Sequence, residues 1–91
     1  MKLEDALFNW LQIERVVQAQ PDDAAALDTR DFFLQVLRED HGIRKVNVTS
    51  EDATMVYVRI EKEEGGTKLF FFDREAADQL VDDVYNDRCQ S

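Results

Sequence analysis

The only histidine, His41, follows Glu39 and Asp40 in the run "EDHG", and that cluster is the first place to look for acid–base or metal chemistry. Its spacing argues against both. Adjacent residues on a helix point about 100° apart, so three neighbours do not converge on one ion. No second histidine exists to complete a zinc set with the lone Cys89. A histidine near a helix C-terminus is already explained by its favourable interaction with the helix dipole. Ser50 and Ser91 are the only serines, and neither stands in the strand–serine–helix elbow of a nucleophile. The glycines Gly42, Gly65 and Gly66 cannot build a phosphate-cradling loop. "SEDATMV" lacks the alternating oxygen ligands and central glycine of a calcium loop, and a single cysteine forms no internal disulfide. These residues predict no catalytic centre, no metal site and no cofactor; the chain reads as a protein that is not an enzyme.

What remains is charge geometry. Twenty acids against eleven bases give a formal charge of −9. Such a surface repels phosphate backbones, and Arg44 and Lys45 are the only adjacent bases, so direct nucleic-acid binding is not expected. On the last helical segment Glu75, Asp78 and Asp82 line up opposite Leu80. Like charges three and four residues apart repel, so this acidic ridge has a mild cost. It is either a solubility face or a surface that meets a basic partner. Glu14 interrupts an otherwise apolar stripe, which calls for solvent or for a base such as Arg30 or Arg59 beside it.

The elements that must carry these residues follow from hydrophobic period. Leu3, Ala6, Leu7, Trp10, Leu11, Ile13 and Val17 fall on one side of a helical wheel. Phe8 and Val16 project nearly opposite, as a thin second strip suited to self-association in a homodimer. Pro21 opens a second helix, which starts there or restarts near Asp28, buries Ala26, Phe33, Val36 and Leu37, and stops at Gly42. The period then becomes two: Val46 and Val48, then Val56, Val58 and Ile60, mark two strands. "EKEEGGTK" is a hairpin connection with Gly65 and Gly66 at its turn. The third strand, Lys68 to Phe72, sets Phe70, Phe71 and Phe72 in a row, so both of its faces carry rings and both need cover. Either the helices lie on both sides of the sheet, or they lie on one side and a second molecule closes the other. Asp73 caps a last helix bearing Ala76, Ala77, Leu80, Val81, Val84 and Tyr85.

The predicted fold is α+β, two helices, a three-stranded antiparallel meander and a C-terminal helix, in one domain spanning 1–91. A chain of this size buries roughly 60 to 65% of its unfolded surface. No apolar run approaches the roughly 18 residues that cross a bilayer, and Glu4 and Asp5 occupy the place where a signal peptide is basic, which predicts a cytoplasmic protein without membrane contact. The functional expectation is a small acidic, non-enzymatic protein-interaction or regulatory module, with neutralisation of a basic partner as a specific form. The alternative is a small-molecule-binding domain or minor enzyme using an aromatic pocket near Trp10, Tyr57 and Phe70.

Overall fold

A computed structural model describes residues 2–89, with side chains as far as Val81. The chain runs through α1 (Leu3–Ala19), α2 (Ala24–His41), β1 (Ile43–Glu51), β2 (Met55–Lys62), β3 (Thr67–Asp73) and α3 (Arg74–Cys89). This is the α+β order that the periodicity predicts. The sheet has the order β1-β2-β3 and both pairings are antiparallel.

The boundaries follow from local chemistry. The second helix begins three residues later than Pro21, because Asp23 is its N-cap and its carboxylate accepts the Ala26 amide at 3.1 Å. That helix ends on Gly42, whose φ of 64° is the left-handed conformation that suits glycine. Asp73 caps α3 by accepting the amides of Glu75 and Ala76 at 2.9 and 3.3 Å.

Alternation along β2 sends Val56, Val58 and Ile60 to one face, where each is fully buried. Cross-strand register sets Phe72 opposite Val56 and Phe70 opposite Val58, with Val46 and Val48 on the other side. Ala6, Leu7, Trp10 and Leu11 of α1, Leu37 of α2 and Ala77 of α3 pack on this same face. Each large apolar side chain so buried contributes about 1.5–3 kcal/mol.

One of the two arrangements open to the sheet is realised, and one expectation is overturned. The helices lie on one side of the sheet only, so Leu69 and Phe71 are 50% and 61% exposed on the other. Of the two covers the triple phenylalanine called for, the fold supplies one. Phe8 and Val16 do not form an exposed strip: Val16 is 3% exposed within a cluster that includes Ala26 of α2, with Leu80 of α3 packed against it. The Phe8 ring lies 5.7 Å from that of Phe72. The reason is placement, because α1 packs against both α2 and α3 as well as the sheet, so it buries a wider arc than a helix packed on one side, and that arc takes in Val16 and part of Phe8.

Candidate interaction surface

The face of the sheet without helices is built from the alternate residues of each strand. Register places Tyr57 between Ser50 and Phe71, Arg59 between Asn47 and Leu69, and Glu61 between Lys45 and Thr67, while Met55 pairs with Asp73. The Tyr57 and Phe71 rings meet edge to face, 6.0 Å apart at 68°, a geometry in which the positive edge of one ring faces the negative face of the other. Met55 and Leu69 extend the apolar area along the strands.

The turn between β1 and β2 holds that aromatic pair in place. One carboxylate oxygen of Asp52 accepts the amides of Thr54 and Met55 at 2.8 and 2.7 Å, and the Thr54 hydroxyl at 3.2 Å. The other accepts the Tyr57 hydroxyl at 3.2 Å. The two backbone amides, Thr54 first, hold the Asp52 carboxyl below its ordinary range. The charge on Asp52, reinforced by the hydrogen bond, pushes the Tyr57 phenol above its ordinary value. Arg74 anchors the same turn by donating to the Asp52 carbonyl at 3.0 Å.

The acidic ridge does not present itself as three equivalent charges. Asp78 turns to α1, where Arg15 Nε meets its carboxylate at 2.6 Å while Arg15 Nη1 reaches Glu51 at 2.7 Å. That arginine side chain is 12% exposed, so one guanidinium ties α1, α3 and the end of β1 together. Glu75 is exposed, and the Asp82 side chain lies outside the described residues. Glu14 pairs with Arg30 at 3.8 Å, one of the two bases the sequence offered it. His41 belongs to no group of three or more candidate metal ligands among the described residues. Trp10, Tyr57 and Phe70 do not line one pocket: Trp10 and Phe70 pack toward the helices, and Tyr57 stands on the opposite face.

A feature missed by sequence reasoning lies along β1. A cleft of about 590 Å³ gathers Arg38, Arg44, Lys45 and Arg59, which are scattered in the sequence. The signal for it was the pairing of Arg59 with the strand that starts after Gly42, and it required the register. No protein-family model, curated protein or solved structure matches the chain. Among the described residues no helix is long and apolar enough to cross a membrane.

Proposed function

We propose that this protein is a non-enzymatic protein-interaction module that works through the open face of its sheet. The observation that supports this reading is the apolar patch of Met55, Tyr57, Leu69 and Phe71 on a face that no helix covers, with Leu69 and Phe71 half exposed or more. A pre-positioned aromatic pair is what interface anchors require, since little side-chain freedom is lost when a partner closes over it.

The partner is a protein whose matching surface is apolar with a basic rim. Asp52, Asp73 and Glu75 are all exposed beside the Tyr57–Phe71 end of the patch. With the cleft's four bases and its Glu61 set aside, seven of the eleven bases remain against nineteen of the twenty acids, so the long-range field also favours a basic partner.

The test is comparative capture of binding proteins from the source cell by wild type, Phe71→Asp and Asp73→Asn/Glu75→Gln, with light scattering on each. Supporting results are a basic binder lost with Phe71→Asp, weakened by the charge neutralisations and weakened by salt. Recovery of the same proteins by Phe71→Asp would overturn the reading. A wild-type dimer that Phe71→Asp converts to monomer would assign the face to a second copy instead.

A further inference from the structure

Five consecutive residues, Ile43 to Asn47, line the cleft against α2. Successive side chains of a strand point to opposite faces, so a cavity that touches five in a row follows the strand's edge and not one of its faces. That edge is open, because β1 is the outer strand of the sheet and pairs only with β2. Every second residue of such a strand turns its N–H and C=O groups away from its partner. The cleft is therefore a groove between an edge strand and a helix, with Leu34 and Leu37 as the helix wall.

Its charge is opposite to that of the molecule. Four of the chain's eleven bases lie here in a protein of net charge −9. Among the described residues Glu61 is the one acid of the lining, and it is shared at 3.4 Å by Arg44 and 3.7 Å by Arg59. Arg38 and Lys45 make no ion pair among the described residues. The register shift between Ile43 and Lys45 leaves Arg44 without a cross-strand partner, and Arg44 and Lys45 are both exposed at the groove. Such bulges re-aim side chains next to binding sites.

We infer that this groove takes an extended acidic peptide as a fourth strand beside β1. The edge supplies main-chain hydrogen bonds and the side-chain pockets supply selectivity, the general logic of strand addition. A strand added there sends alternate side chains to the two faces of the extended sheet. One set meets Lys45 and Arg59, which share the face opposite the helices; the other meets the half-buried Leu34, with Leu37 buried behind it. The favoured peptide thus alternates acidic and apolar residues over about five positions, roughly 17 Å of chain. Among the described residues no aromatic ring lines the groove, so these residues offer nucleic-acid bases nothing to stack on.

The probe is a blocked pentapeptide alternating glutamate and valine, titrated into ¹⁵N-labelled protein. The controls are the same peptide with lysine for glutamate, the same peptide N-methylated at alternate amides, and inorganic phosphate. Saturable shifts concentrated at Ile43 to Asn47, absent with the lysine and N-methylated peptides, support the inference. The double variant Arg38→Glu/Lys45→Glu, checked for native fold by circular dichroism, should bind at least about tenfold more weakly. Should the double charge reversal not fold, Lys45→Gln takes its place, with a loss of about threefold. Equal binding of the N-methylated or lysine peptide, the same shift pattern from phosphate, unchanged affinity in the charge variant, or no shifts at millimolar peptide would each overturn it.

Discussion

Truncating the adjacent rings Phe71 and Phe72 should have very different costs, and the difference measures whether one face of the sheet is open. A fully buried phenylalanine loses about 3–5 kcal/mol on truncation to alanine. Phe72 packs against the core, faces Val56 across the ladder and contacts the Phe8 ring at 5.7 Å. Phe72→Ala should therefore cost about 2–3 kcal/mol. Phe71 is 61% exposed and touches mainly Tyr57, so the same scale reduced by its exposure gives about 1 kcal/mol for Phe71→Ala. This replaces the equal costs that a sheet covered on both faces would require. Urea melts of the two variants beside wild type, run at micromolar and at tenfold higher concentration, read both numbers from midpoint and slope. Equal losses that do not vary with concentration would refute the one-sided packing. A Phe71→Ala loss that grows with protein concentration would mean that a second copy covers that ring, since association stabilises by mass action.

Other parts of the structure carry their own expectations. Arg15→Met leaves Asp78 and Glu51 without their shared guanidinium and should cost about 2 kcal/mol in a urea melt at neutral pH, less in molar salt. Gly42→Ala meets no steric obstacle within 4 Å but forces an alanine to a φ of 64°, so a loss of about 1 kcal/mol is expected from backbone strain alone. In a Tyr85→Phe background, ultraviolet titration should find Tyr57 ionising above an ordinary tyrosine, and Asp52→Asn should bring it back down. The linked stability has a definite sign. Asp52, lowered in the folded state, stabilises above its ordinary pKa of 3.8 and loses that contribution as pH falls through its lower folded value. Tyr57, raised, stabilises below 10.0 and loses its contribution as pH rises through its higher folded value.

The fold was legible because its signals were periodic and local. The stripe from Leu3 to Val17, the alternation at Val56, Val58 and Ile60, and the caps at Gly42 and Asp73 each depend on neighbours within a few residues, and all reappear in the structure. The misreadings came from assuming what lay across from an element. Phe8 and Val16 read as exposed on the premise that α1 packs on one side, and α1 is flanked on two sides by helices. Asp78 read as one of three equal ridge charges because nothing in the last helix reveals that Arg15, 63 positions earlier, turns toward it. The basic groove was illegible for the same reason: Arg38, Arg44, Lys45 and Arg59 meet only once a helix end, a strand edge and a cross-strand neighbour are brought together.

The open face and the edge groove ask for opposite chemistry on adjoining parts of one sheet. Phe71 stands across from Tyr57 and Lys45 across from Glu61, so the centres of the two sites lie four residues apart along β2, about 13 Å, and the sites border each other where Leu69 of the patch pairs with Arg59 of the groove. Between those centres exposed charges are largely screened at physiological salt, where the Debye length is about 8 Å, while Leu69 and Arg59 are close enough for substitutions to couple. Gathering four cations in one place costs repulsion that a purely structural surface could relieve by using the chain's abundant acids, yet among the described residues the groove holds Glu61 alone, divided between two arginines. The surplus charge thus lies along the strand edge that no second strand pairs. An apolar patch beside acids and a cationic groove along an open edge are two incomplete surfaces on one small sheet, and each specifies by its own chemistry what would complete it.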